Sequence, residues 1–188
     1  KFLLIDLNNY FSRFYFANKD NCVERYIKLI KDSIQEFLPN YICNLIDAPS
    51  SFRKSLYPEY KSNRPEKPKD YYELLENLKF NLKKLNYPYQ SSKSLEAEDL
   101  ANLFINNIAN MEWIVLSNDK DCLQLESDDP EAEYPKCRIF DYFYKKNKDG
   151  NFVKFLRKSY TDLGLETTHQ FLLYLSLMGD SSDNIPGI

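Results

Sequence analysis

Three short apolar runs, "FLLID" (2–6), "YICNLID" (41–47) and "WIVLSND" (113–119), each close on an aspartate. They are rich in β-formers and lack polar alternation, the pattern of strands buried on both faces, as in parallel sheets. Segments with helical spacing separate them. "NCVERYIKLIKDSIQEFL" (21–38) sets Val23, Ile27, Ile30, Ile34 and Phe37 on one face and is stopped by Pro39. "LEAEDLANLFINNIA" (95–109) reads as a second helix. Strands alternating with helices imply an α/β domain whose central, mainly parallel sheet is flanked by helices. At 188 residues and 43% apolar content, one domain with a sizeable core is expected.

The middle of the chain differs. "SFRKSLYPEYKSNRPEKPKDYYELLENLKFNLKKL" is a proline-bearing basic loop followed by an amphipathic helix from about Tyr71 to Leu85. Residues 53–93 hold ten basic and five acidic side chains, whereas residues 94–133 hold one lysine and eleven acids. A basic stretch next to an acidic one suits a site that grips an anion and also collects cations. Further on, "CRIFDYFYKKNKDGNFVKFL" reads as a hairpin turning at Asp149-Gly150, and "ESDDPEAEYPK" (126–136) as a surface loop. "TTHQFLLYLSLMGD" opens with a capping-box pattern from Thr167 to Gln170 and carries the last helix.

In open parallel sheets, ligand sites lie outside the carboxyl ends of the strands. Asp6, Asp47 and Asp119 mark three such ends, and Asp121 follows Asp119 by two residues. Glu96, Glu98 and Asp99 crowd one helix's first turn, and Asp180 and Asp183 close the last helix. Each group alone has a structural explanation: first-turn acids suit the helix dipole, and strand-end aspartates cap turns. Together on one edge, they would repel and drift towards neutrality unless cations relieved them. Oxygen-only donors indicate a hard metal, Mg²⁺ or Mn²⁺, and the surplus of carboxylates suggests two ions. A pair about 4 Å apart is the arrangement used for in-line displacement at phosphorus.

Other chemistries find little support. Cys22, Cys43, Cys122 and Cys137 lack CxxC spacing, and His169 is the sole histidine, so a zinc site is not expected. Free thiols point to a reducing compartment. No run is long and apolar enough to span a membrane.

The motifs "LLIDLNNYFSRFYFA", "YPEYKSNRPEKP", "LEAEDL", "LSNDKDCLQL" and "LMGDSSDNIPGI", in this order, closely resemble the 5′ nuclease family. That family includes the 5′→3′ exonuclease domain of bacterial DNA polymerase I and the flap endonucleases. The resemblance runs from Phe2 to Ile188 and implies a PIN-like fold with a helical arch above the active site. It implies a catalytic domain over 1–188, with the basic arch region at about 53–93. It further implies two-metal, Mg²⁺-dependent cleavage of 5′-flap or branched DNA and of 5′ ends, RNA–DNA included, in replication and repair, by a monomer. By position, Asp6, Asp47, Glu96, Glu98 and Asp99 correspond to the set supporting the first ion, and Asp119, Asp121, Asp180 and Asp183 to the set that completes it and supports the second. Lys61 and Arg64 match arch residues that contact the scissile phosphate. Arg53, Lys54, Tyr60, Lys67 and Lys69 are the DNA-contact candidates, with Lys54, Lys67 and Lys69 either contacting DNA or only solubilising the chain, and Tyr60 either stacking on a base or packing against the arch. Arg13 matches a family position, either as a functional residue or as a loop anchor.

The sequence departs from the family at three points. Leu7 replaces a glycine, Glu98 an aspartate, and Asn118 a small residue. In relatives the region opened by residues 176–188 continues into a helix–hairpin–helix that holds duplex DNA, so that clamp is expected from further chain or from elsewhere. Two rival readings remain open, a PIN-type ribonuclease and a catalytically silent DNA-binding protein. A DNA-containing, reducing compartment is expected, and the Asn/Lys/Tyr bias with bacterial-like motifs suits an organelle of an AT-rich organism.

Overall fold

The computed structural model describes residues 1–49, 51–127, 136–146 and 152–188. Its centre is a six-stranded sheet: β1 (Phe2–Asp6), β2 (Tyr41–Ile46), β3 (Tyr89–Ser91), β4 (Trp113–Leu116), β5 (Cys137–Lys146) and β6 (Phe152–Lys158). The spatial order is β3-β2-β1-β4-β5-β6. β1 pairs in parallel with both β2 and β4, β3 adds to β2, and β5 adds to β4. Only β6 runs antiparallel, against β5. The order reverses direction between β1 and β4, which opens a crevice at their carboxyl ends.

Alternating side chains divide the core between the two faces of the sheet. Leu3, Ile5, Ile46, Ile114 and Leu116 pack under α1 (Leu7–Ala17), α2 (Cys22–Phe37) and α4 (Lys69–Lys84). Leu4, Cys43, Leu45, Trp113, Val115 and Ile139 pack under α5 (Ala97–Asn107) and α6 (Thr168–Met178). α3 (Arg53–Leu56) is a single turn on the edge of the site. All four cysteines are buried, and Cys22, Cys43 and Cys122 are free thiols. Among the described residues no helix is long and apolar enough to cross a membrane.

The expected strands and helices are present, with three additions, α1, α3 and β3. α1 begins directly at Asp6 and buries Leu7, Tyr10, Phe11, Phe14 and Tyr15, a helical i, i+3, i+4, i+7 stripe that the exposed Phe16 blurs. β3 is three residues long, too short to show a period. Leu7 is helical and fully buried, so no positive φ is required at this position. The basic stretch is helical at its ends only. Between α3 and α4, residues 58–63 form turns and residues 65–68 have no regular structure, with Lys61 at φ 57°. α6 starts on the Thr167 cap, whose hydroxyl accepts the Gln170 N–H, while the Gln170 side chain accepts from Glu166 rather than Thr167. The expected turn at Asp149-Gly150 and most of the acidic loop at 126–136 lie outside the described residues.

Candidate active site

Parallel pairing puts the ends of β1, β2 and β4 on one edge, and the chemistry collects there. Asp6 ends β1 and caps α1. One carboxylate oxygen accepts the Asn9 N–H at 3.0 Å and the other the Ser117 hydroxyl at 2.8 Å. The Ser117 oxygen accepts the Asp119 N–H at 3.0 Å, so one serine ties the ends of two strands together. Burial, reinforced by Asp47 and Asp119, pushes the Asp6 carboxyl up to about 8. Asp47 follows β2 and accepts the Ala97 N–H at 2.9 Å at the start of α5. Burial raises its pKa as well, against the opposing pull of that hydrogen bond and of Lys61.

The acids of α5 divide their work. Glu96 and Asp99 form a capping box in which Asp99 accepts the Glu96 N–H at 3.0 Å. Both Asp99 oxygens also take Arg53, at 2.6 and 2.9 Å, a bidentate pair. Asp99 is thereby turned to structure rather than to the crevice. Glu96 turns the other way. It accepts the Tyr60 hydroxyl and the Lys61 ammonium, each at 2.8 Å, and these partners with Arg53 outweigh burial and hold its carboxyl below the usual range. Glu98 lies 3.2 Å from Arg53, and burial beside Glu96 and Asp99 lifts it to about 9.

The third group is the tightest. Carboxylate oxygens of Asp121, Asp180 and Asp183 all lie within 4.8 Å of one another, although the residues come from two loops. Asp119 caps the 3₁₀ turn 120–125 by accepting the Asp121 N–H at 3.0 Å. Burial, with Asp119 and Asp180 adjacent, pushes Asp121 up to about 6. Asp180 accepts from the Ser182 N–H and hydroxyl and lies 3.3 Å from Lys120. These contacts overcome burial and lower its pKa. Like-charged oxygens this close, in a set without nitrogen or sulfur, fit a divalent cation with hard-ligand preference.

The cations close over this edge. Arg64 pairs with Asp183 and also donates to the Ser182 carbonyl at 3.3 Å. Lys61 spans Glu96 at 2.8 Å and Asp183 at 3.6 Å. A cavity of about 530 Å³ beside them is lined by Asp47 and Glu96 and by Lys54, Lys61, Arg64 and Lys67.

The DNA-contact candidates fare unequally. Tyr60 is buried, with its hydroxyl on Glu96 and the Lys61 ammonium over its ring, so it offers no face to a base. The packing alternative describes it. Arg53 is committed to the α5 carboxylates rather than open to a phosphate. Lys67 donates to Ser12 and Tyr71 at 2.8 and 3.0 Å, at the cavity wall. Lys69 projects outwards beside Glu73, away from the cavity lining. Arg13 is anchored on the buried Asp141 at 2.7 Å. Ser117, Asn9 and Lys120 also belong to the site. For Ser117 and Asn9 the sequence signal is a small polar residue two or three positions from a strand-end aspartate, and for Lys120 a cation beside one.

Comparison with known proteins agrees with this geometry. Residues 1–154 match the family described as the 5′-3′ exonuclease, N-terminal resolvase-like domain. DNA polymerase I of Chloroflexus aurantiacus is 30% identical over 165 residues, covering 87% of this chain and 17% of that protein. The 5′-3′ exonuclease of Buchnera aphidicola subsp. Baizongia pistaciae is 28% identical over 200 residues, covering 100% of this chain and 61% of that one. The bacteriophage T5 D15 flap endonuclease, solved as a pseudo-enzyme–product complex with DNA and metal ions, shares the fold. It superposes with a TM-score of 0.74 at 23% identity, covering 100% of this chain and 69% of that one. With its motifs, its sheet order and its matched residues in agreement, this chain belongs to the 5′-3′ exonuclease family, as a member of its N-terminal, resolvase-like domain.

Proposed function

We propose that the chain is a structure-specific 5′ nuclease that hydrolyses phosphodiester bonds at 5′ flaps, branched DNA and 5′ ends. The observation that carries this reading is the meeting of Asp121, Asp180 and Asp183 with Lys61 and Arg64. Relatives named DNA polymerase I and 5′-3′ exonuclease support a role in replication and repair.

Asp121, Asp180 and Asp183 would hold one divalent ion, with Mg²⁺ the expected metal and Mn²⁺ a substitute; Asp6, Asp47, Glu96 and Glu98 would support a second. When bound, such ions supply an acidified water and neutralise charge on the reacting phosphate. The chain's own residues set up the rest. Ser117 and the Asn9 N–H orient Asp6, and the Ala97 N–H orients Asp47. Lys61 and Arg64 stand at the carboxylate edge, where a guanidinium grips phosphate oxygens and an ammonium stabilises developing negative charge. Lys54 and Lys67 add positive charge to the cavity through which the strand would leave.

The test is cleavage of a 5′-labelled flap duplex with Mg²⁺, with EDTA, and by an Asp180→Asn/Asp183→Asn variant. Incision near the junction that needs metal and disappears in the variant is expected. Binding without incision in any metal would mean that residues beyond Ile188 are required or that the chain is a silent binder, which adding the C-terminal segment would decide. Incision confined to single-stranded RNA would favour a ribonuclease.

A further inference from the structure

Two asparagines sit inside the motifs that build the site, yet neither touches a charged group of it: Asn63 in "YKSNR" and Asn184 in "GDSSDNIPG". Asn63 Nδ2 donates to the Ser181 carbonyl at 2.9 Å. Asn184 Nδ2 donates in the opposite direction, to the Glu59 carbonyl at 3.1 Å and the Ser62 hydroxyl at 3.2 Å. Between these two, the Lys61 backbone N–H donates to the Asp183 carbonyl at 2.9 Å. Each segment is itself fixed. Asp180 and Ile185 exchange a pair of backbone hydrogen bonds, both 2.8 Å, that close the loop. Asn184 and Lys61 occupy positive φ, at 59° and 57°. The uncharged bonds therefore join two rigid turns, one bearing the cations and one the carboxylates.

We propose that Asn63 and Asn184 are positioning residues that lock the turn 59–64 onto the loop 180–185, fixing the offset of Lys61 and Arg64 from Asp180 and Asp183. Charge attraction alone cannot set that offset. A lysine side chain has four rotatable bonds and finds its carboxylate from many backbone positions, whereas transition-state stabilisation needs the ammonium within a fraction of an ångström. An amide suits the task because it donates twice and brings no charge to an edge already crowded with carboxylates. The catalytic consequence rests on the nuclease reading above; the lock itself does not.

Three variants test it: Asn63→Ala, Asn184→Gly and the double. Glycine keeps the positive φ and removes only the amide. The measurements are amide hydrogen exchange over 59–64, Mn²⁺ affinity by calorimetry, melting temperature, and single-turnover flap cleavage with Mg²⁺ at saturating DNA. Exchange of the Lys61 amide is expected to quicken about fivefold in each single variant, one hydrogen bond's worth, and further in the double. Cleavage slows about tenfold or more, while Mn²⁺ affinity holds nearly constant and the melting temperature falls by only the few degrees that one or two hydrogen bonds are worth. Unchanged exchange in the double variant overturns the lock, and an unchanged cleavage rate overturns its catalytic role. A parallel fall of Mn²⁺ affinity and melting temperature would make both asparagines merely structural. If the wild-type chain cuts no flap, the nuclease reading fails and the exchange data alone decide the lock.

Discussion

Asp121 carries the clearest conflict between stability and function. Its carboxyl is pushed up to about 6 by burial beside Asp119 and Asp180, so its ionised form is disfavoured in the folded chain. The unfolded value is 3.8. Above about pH 6 the folded chain therefore bears a cost that is absent below the unfolded value, because the folded state binds the proton more tightly. Asp121→Asn should raise metal-free stability at pH 7.5 by about 1–2 kcal/mol, after allowance for screening at the rim, and abolish metal-dependent cleavage. Urea denaturation at pH 4 and pH 7.5 measures the first part, with the gain confined to the higher pH. Lys61 makes the complementary case. Lys61→Met removes the ammonium that bridges Glu96 and Asp183. It should slow single-turnover cleavage about 10²–10³-fold, the effect of deleting one preorganised charge donor, with Mn²⁺ affinity retained. A loss of Mn²⁺ binding in this variant would move Lys61 from phosphate contact to scaffold.

Among the elements, the loop after α6 is built around two glycines. Gly179 has φ 64°, and a Cβ there would lie 2.4 Å from the Gly187 N and 2.5 Å from the Pro186 carbonyl carbon. Backbone cannot yield at that separation, so "MGDSSDNIPG" needs both a positive φ and an absent side chain at its first glycine. Gly179→Ala should destabilise by about 3 kcal/mol in urea denaturation and weaken Mn²⁺ binding with it, since Asp180 and Asp183 ride on the loop. Elements of this kind also show what the sequence made legible. Strands ending in aspartate, and α2 with its 3.6-residue stripe, follow from local pattern. α1 lacks such a clear stripe because Phe16, 65% exposed, fills the face that would otherwise be polar. The carboxylates of Asp121, Asp180 and Asp183 were legible as motifs, but their meeting depends on two loops far apart in sequence. By motif position Asp99 suits a metal and Arg53 suits DNA. That they satisfy each other is a matter of side-chain direction, which spacing does not encode.

At the scale of the molecule, sheet order does the assembling. Because β1 lies between β2 and β4 with all three parallel, their carboxyl ends share one edge, and the basic segment 57–68 and the loop 180–185 meet above it. The basic and acidic halves of the middle sequence, opposite in sign along the chain, become two walls of one site. The account therefore stands on divalent ions being held at that edge by those carboxylates. Electron paramagnetic resonance of Mn²⁺ titrated into wild-type protein and into Asp121→Asn measures this without DNA or turnover. Saturable binding by the wild type, with one class of Mn²⁺ site weakened about 10²-fold or lost in the variant, is the predicted result. Equal Mn²⁺ binding by the two proteins, or none by the wild type, would contradict the account at its centre.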